Sequence, residues 1–329
     1  MGTEAMDPRR APPLMSRTSQ GFSLVEMMVA MTIGLVLVGA GIAVYANSRA
    51  AYTVNDSISR LQENARYALD EITRDLRLAG YWGLNSSAAL VLNHAGLPEP
   101  VPAPLAAAIN DCAPQWYTTL TNRIEGSDGF NTGYAPCIPD NRYQAGTDIL
   151  AMRFVDPTPV VALVNNTPYL RSNRNKGTLF LGNSQPADMP AAQNYKLESR
   201  AYYVSPWTNT LGDGAPALKR VVLVPSAGNV ALQEEVVVSG VENLQVQYAL
   251  DFPVAVGQPG DGSVDRYVNG GAGVSWPQVE AVRLWLLVRA PTAEAGYTNT
   301  TSYQLPAAPV TPNDGFRRVL VTKTVHLHN

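Results

Sequence analysis

Residues able to carry out catalysis are sparse in this sequence of 329 residues. It lacks the G-x-S-x-G, G-x-x-x-x-G-K, H-E-x-x-H and C-x-x-C patterns that mark nucleophile elbows, phosphate loops, zinc proteases and redox pairs. Its three histidines, His94, His326 and His328, are too few and too scattered to complete a Ser-His-Asp triad. The sequence therefore predicts a protein that is not an enzyme.

Two cysteines, Cys112 and Cys137, lie within residues 81–146, a segment rich in Gly and Pro that is predicted to be loop-rich. Long irregular segments need a staple, and in an exported chain a disulfide would supply it. Zinc is the alternative, but it needs about four ligands, and the three histidines are poorly placed to complete a site. We expect a Cys112–Cys137 disulfide and no bound metal.

A short acidic segment is the one candidate for calcium. Asp261 and Asp265, in the run DGSVD, resemble part of a calcium-binding loop. The segment lacks the remaining ligands and the terminal glutamate of an EF-hand, so a solvated turn is favoured and calcium stays the alternative. No other cofactor is predicted.

One apolar segment dominates the sequence: residues 22–46 contain a single charged residue, Glu26. As a helix it would be about 37 Å long, enough to cross a bilayer. It exceeds the apolar part of a secretory signal peptide and has no A-x-A-like site after it, which favours a membrane anchor. A carboxylate in lipid is costly, so Glu26 either has a function there or is solvated at headgroup depth.

The distribution of charge orients this segment. Arg9, Arg10 and Arg17 precede it, and the first charge after it is Arg49. The positive-inside rule then places the amino end in the cytoplasm and the rest of the chain outside. For a bacterial protein this predicts a single-pass inner-membrane anchor with a periplasmic head. Basic residues elsewhere are scattered, which argues against nucleic-acid binding.

The helical pattern continues past the membrane segment. In residues 47–80 apolar residues recur at steps of three and four, which predicts an amphipathic helix ending near Gly80. Residues 147–329 alternate with period two, for example over 244–248 and 282–289, as half-buried antiparallel strands do. We predict an α+β fold, in which the membrane half of a long N-terminal helix protrudes and its second half packs under an antiparallel β-sheet head.

The residues around Glu26 resemble a known processing signal. Gly21 and Phe22, followed by Ser-Leu-Val and Glu26 and then the apolar run, look like the class III signal of type IV prepilins. The resemblance implies cleavage after Gly21 by a prepilin peptidase and N-methylation of Phe22 as the mature terminus. It also implies a role in assembly for Glu26. Residues 1–21 would form the leader, with Met15 as a competing start.

Other segments are similar to PilW-type minor pilins and to the related J-type pseudopilins of type II secretion. They are NARYAL at 64–69, RDLRLAGYWG at 74–83, VENLQVQY at 241–248 and FRRVLVTKTV at 316–325. The resemblance implies a pilin-like fold. As partners it implies other minor pilins, the major pilin, the prepilin peptidase, the inner-membrane assembly platform and a tip adhesin.

The predicted function is that of a minor pilin in the initiation and assembly of a type IV pilus, in a tip or priming complex that supports twitching motility. The large head argues against a major pilin, which must repeat densely along a filament. Two alternatives stay open: a J-type secretion pseudopilin, and an adhesin or ligand-binding module displayed on a pilus. The predicted location is the inner membrane and then the surface pilus.

Overall fold

The computed structural model describes residues 21–109, 115–187, 189–253 and 260–327. The chain divides into two compact units, the first ending at Val54 and the second beginning at Asn55. The described helices are α1 Leu24–Leu78 and the four-residue α2 Ala103–Ala106. The described strands are β1 Val91–Leu92, β2 Ile124–Ser127, β3 Ile149–Val155, β4 Pro168–Ser172, β5 Gly177–Leu181, β6 Gln193–Ser205, β7 Ala217–Ser226, β8 Asn229–Ser239, β9 Val241–Leu250, β10 Arg266–Asn269, β11 Val279–Arg289 and β12 Arg318–His326.

Helix α1 changes character along its length. Residues 24–46 carry one charge and contain no proline, so nothing in this part removes a backbone donor from the helix. From Asn55 onward, apolar residues recur with the helical period and one stripe is buried. The helix ends at Leu78 because Gly80 has φ of 86°, and its N–H donates to the Arg153 carbonyl at 2.9 Å. The apolar members of the stripe are Leu61, Ala65, Ala68, Ile72 and Leu76.

Two sheets form the second unit. The smaller sheet is antiparallel, in the order β10-β9-β11-β12. The larger has eight strands, with β1-β5-β4-β6-β3-β2 as its main path and β7 and β8 branching from β6. The branch arises because β6 is 13 residues long: its first residues pair with β4, and residues 200–205 pair with β7. All strand pairs are antiparallel except β1 with β5.

The main hydrophobic core lies where the α1 stripe meets both sheets. It includes one face of β3 and β6 from the larger sheet and one face of β9 and β11 from the smaller. Representative side chains are Phe154, Tyr202, Val246 and Leu284, each at most 2% exposed. The predicted α+β class, with a long N-terminal helix packed against antiparallel strands, is confirmed.

The sequence predicts one sheet in the head, whereas the structure has two. The larger of the two sheets is covered by side chains on both faces. A second core lies against this sheet and draws heavily on residues 81–146. Its buried aromatic side chains include Trp82, Trp116, Tyr117 and Tyr134. A segment expected to be loop-rich thus supplies a hydrophobic layer, since strands that are apolar on both faces must be covered on both.

A buried ion pair fixes the second part of α1 to the larger sheet. Asp75 is 1% exposed and accepts two hydrogen bonds from the Arg200 guanidinium, at 2.8 and 2.9 Å, and one from the Tyr202 hydroxyl at 2.5 Å. Burial raises the pKa of the Asp75 carboxyl, although the charge of Arg200 opposes this shift. Such a pair adds little net stability, but removing Asp75 would leave the mostly buried Arg200 with Glu198, at 3.3 Å, as its remaining carboxylate partner.

We predict that Asp75→Ala destabilises the folded chain by about 3 kcal/mol, because Arg200 and Tyr202 lose their shared acceptor. The matched control is Asp70→Ala on the same helix. The Asp70 side chain is 58% exposed and lies 3.5 Å from Lys323, so its loss should cost at most about 0.5 kcal/mol. Urea unfolding of the detergent-solubilised protein measures both. Equal losses for the two variants would contradict the role of the buried pair.

Candidate processing site and assembly helix

The Gly21–Phe22 peptide bond lies in non-helical backbone immediately before α1. Phe22 is 84% exposed, and a Cβ placed on Gly21 would contact no other atom within 4 Å. Ser23 begins the helix: its side-chain oxygen accepts from the Val25 N–H at 3.3 Å, and its carbonyl accepts from the Met27 N–H at 3.1 Å. The bond is therefore accessible, and a new amino terminus at Phe22 would precede a capped helix by one residue.

Glu26 lies in the first turn of α1, four residues after Phe22. A carboxylate at this end of a helix interacts favourably with the helix dipole. The side chain is exposed and forms no hydrogen bond or ion pair with any residue that the structure describes. Within the isolated chain, its charge is therefore available to a group from outside.

The first part of α1 exposes large apolar side chains on every side; Leu24, Leu35 and Val36, for example, are 76%, 77% and 67% exposed. By length and composition α1 could cross a membrane. Burying one such side chain is worth about 1.5–3 kcal/mol, so this surface is stable only in lipid or against other apolar helices.

The residues considered for a metal are not brought together. His94 is buried, with Nδ1 2.8 Å from the Ala95 carbonyl oxygen, His326 is exposed on β12, and His328 lies outside the described residues. Cys137 is not a free thiol, but Cys112 also lies outside the described residues, so the Cys112–Cys137 disulfide stays a prediction. In the described ranges, no group of three or more His, Cys, Asp or Glu residues could hold a metal ion.

Asp261 and Asp265 accept hydrogen bonds from residues nearby in the chain. Asp261 accepts hydrogen bonds from the Ser263 side chain and N–H, which lower the pKa of its carboxyl. Asp265 accepts from the Phe252 N–H at 2.7 Å, and Asp251 accepts from the N–H groups of Asp261 and Gly262. These contacts are those of a turn held by carboxylates. Residues 254–259 beside it lie outside the described part of the chain.

Two family models match the chain. Residues 16–42 match the prokaryotic N-terminal methylation motif, and residues 201–329 match the type IV pilus-assembly protein W family. The first match includes Gly21, Phe22 and Glu26. The second match includes residues 201–205 of β6 and all of β7 to β12. The carboxyl-terminal region is therefore similar to PilW-type pilins, and the amino-terminal region carries the methylation motif.

A pilin-like protein and a solved type IV-like pilin, both from Thermus thermophilus, are similar to this chain. Pilin-like protein PilA3 is 35% identical over 65 residues, which are 19% of this chain and 28% of that protein's length. A solved type IV-like pilin is 15% identical, with a TM-score of 0.33 over 82% of this chain and 97% of its own.

Reasoning from sequence missed the ion pair that fixes the second part of α1 to the larger sheet. Arg200 lies 125 positions from Asp75, and nothing local links the two. One feature of the sequence does indicate a buried ion pair: Asp75 is a carboxylate between Ile72 and Leu76 on the apolar stripe. A charge buried at that position requires a partner.

We predict that Gly21→Arg blocks processing, because an arginine side chain would crowd the otherwise unobstructed bond before Phe22. Intact-mass measurement on protein from its native membrane should show wild-type chains that begin at methylated Phe22 and variant chains that keep the leader. Ser23→Ala, on the other side of the bond, is the matched control and should be processed. Uncut wild-type protein in a peptidase-competent host would contradict this prediction.

We predict that Glu26→Ala and Glu26→Gln both insert in the membrane but enter filaments at least about tenfold less than wild type, because both variants remove the negative charge that is available to a group from outside the chain. Quantitative immunoblots of membranes and sheared filaments give the two values. Met27→Ala, the next residue on the same exposed segment, is the control. Normal incorporation of Glu26→Gln would show that the charge is dispensable.

Proposed function

We propose that this PilW-type pilin helps to start a type IV pilus, as part of a complex of minor pilins at or near its tip. Its role is structural. One observation carries the proposal: a methylation motif spans the start of an exposed apolar helix, in a chain whose carboxyl-terminal region matches a pilus-assembly family. A helix of this kind needs lipid or other apolar helices around it. A pilin meets both needs in turn, because it moves from the lipid of the membrane to the bundled helices of the filament.

The chain enters the inner membrane with its amino end in the cytoplasm and its head in the periplasm. Support comes from Arg9, Arg10 and Arg17 before the apolar segment and from the absence of charge between Glu26 and Arg49. The prepilin peptidase then cuts after Gly21, and the assembly platform of the same membrane receives the mature chain.

In the complex, Glu26 pairs with the amino terminus of a neighbouring pilin. Glu26 is exposed, carries the first charge of α1, and is followed by a long uncharged stretch. A carboxylate held in such surroundings requires a cation, and the ammonium released by cleavage before Phe22 of another subunit would supply it.

A low copy number fits the size of the second unit, which begins at Asn55 and holds both sheets. Dense repetition along a shaft restricts the volume available to each head, whereas a tip accommodates a bulky one. Other minor pilins, the major pilin beneath them and a tip adhesin are the proposed neighbours.

We predict that deleting the gene sharply reduces surface pili and twitching motility, because the priming complex that lowers the nucleation barrier is lost. Blocking pilus retraction in the deletion strain should restore part of the piliation, since the shaft itself is made of major pilin. Counting pili by electron microscopy, with plasmid-borne wild-type and Gly21→Arg genes as positive and negative controls, measures both effects.

Other results would select other functions. Normal piliation in the deletion strain, or labelling uniformly along filaments, would overturn the priming role. Loss of protein secretion with pili intact would indicate a J-type pseudopilin. Normal pili that no longer attach to surfaces would indicate a displayed adhesin.

A further inference from the structure

Strand β12 is an open edge of the four-stranded sheet. It pairs with β11 in an unbroken antiparallel register, from Arg318 opposite Arg289 to His326 opposite Ala281. The Leu327 N–H donates to the Glu280 carbonyl at 2.9 Å, which identifies the residues of β12 that bond to β11. In an antiparallel pair such residues alternate with residues whose N–H and C=O point away.

By this alternation, Arg318 and four further residues of β12 direct their N–H and C=O groups outward. The Arg318 carbonyl accepts a hydrogen bond from the Tyr303 hydroxyl at 3.3 Å, which leaves Leu320, Thr322, Thr324 and His326. Among the residues that the structure describes, no strand or loop backbone bonds to these groups. They form a regular row of donors and acceptors about 20 Å long.

Little protects this edge. Proteins usually shorten, bend, cover or charge the edges of their sheets. Here β1 and β10 have two and four residues, and β8 is covered over part of its length by Ile109, which bonds to Val230 and Leu232. Strand β12 has nine residues without proline or bulge, and its Lys323 faces α1, where it lies 3.5 Å from Asp70.

A groove of about 370 Å³ lies between β12 and α1. Ala65, Leu69, Val319 and Val321 form its apolar lining, and Gln62, Arg66, Asp70 and Lys323 form its polar lining. Asp70 and Lys323 pair with each other, whereas Arg66 is exposed and forms no ion pair with any described residue. The groove therefore carries one uncompensated positive charge.

We propose that β12 accepts a β-strand from a different pilin-like subunit, which extends the four-stranded sheet. Apolar side chains on one face of the added strand fill the groove beside Leu69 and Val321, and a carboxylate meets Arg66. A second copy that pairs through its own β12 fits less well, because the Arg66 beside that strand would bring a second unpaired positive charge to the contact. This inference rests on the proposed function, since it names the surface through which that assembly occurs.

The sharpest test replaces Thr322, whose N–H points outward and is not used by β11. Thr322→Pro removes that donor and places a ring where the new strand must lie, a change that edge strands tolerate when the lost N–H faces solvent. Thr322→Val is the matched control, because it removes the hydroxyl but keeps the N–H. Circular dichroism of both purified, detergent-solubilised proteins should show the wild-type melting transition.

We expect Thr322→Pro to lower piliation at least about tenfold relative to Thr322→Val, which should match wild type. Arg66→Glu should also lower it, since it reverses the charge that the incoming strand must meet. If Thr322→Pro gives normal pili in a strain whose gene deletion abolishes them, this inference fails while the proposed function stands. If the deletion itself leaves pili intact, the proposed function fails.

A direct test that needs no destabilising change places the photo-crosslinker p-benzoylphenylalanine at Thr324 in living cells. Mass spectrometry should identify a peptide of another pilin-like subunit in the crosslinked product, and the product should disappear in Thr322→Pro. The same crosslinker at Val161, an exposed loop residue, should not give that product. A crosslink to a second copy of this chain, or none at Thr324, would overturn the proposal.

Discussion

Burial of the α1 stripe is the interaction on which the rest of the head depends. Leu61, Ile72 and Leu76 each lie in the core that both sheets share, so the helix is the element that the two sheets have in common. Removing any of these side chains would open a cavity in the core to which both sheets contribute. The Asp75–Arg200 pair then fixes the position of the helix along the larger sheet, which apolar contact alone does not specify.

The two sheets also meet directly, through the residues that enter β3. The Asp148 N–H donates to the Leu244 carbonyl of β9, and its carboxyl accepts from the N–H groups of Val246 and Gly129. Burial, with a smaller contribution from the neighbouring Asp128 carboxylate, raises the pKa of Asp148 to about 7. The Asp148 carboxyl is therefore easier to protonate in the folded state than in the unfolded state. Its contribution to the free energy of unfolding is fully present below pH 3.8 and is lost as the pH rises through about 7.

Sequence reasoning succeeded where structure is local. The α1 stripe and alternating strands such as β11 follow from side-chain period, and the processing motif is contiguous in the chain. It failed for the second core, because Trp116 and Tyr134 lie in irregular backbone whose contacts have no period. Strand order, the branch at β6 and the open edge of β12 depend on pairings between distant residues, which no single segment encodes.

The exposed apolar helix and the open β12 edge differ in how specifically they can select a partner. Apolar burial has no direction, so the first part of α1 can associate with lipid or with any apolar helix. Inside a bilayer there is no hydrophobic force that favours helices over lipid, and partner choice in the membrane must draw on other contacts. Addition of a strand to a sheet edge fixes the register and the direction of the added strand, and it fixes which of its side chains lie on each face of the sheet. In the proposed strand addition, the edge at β12 supplies the selectivity that an apolar helix lacks.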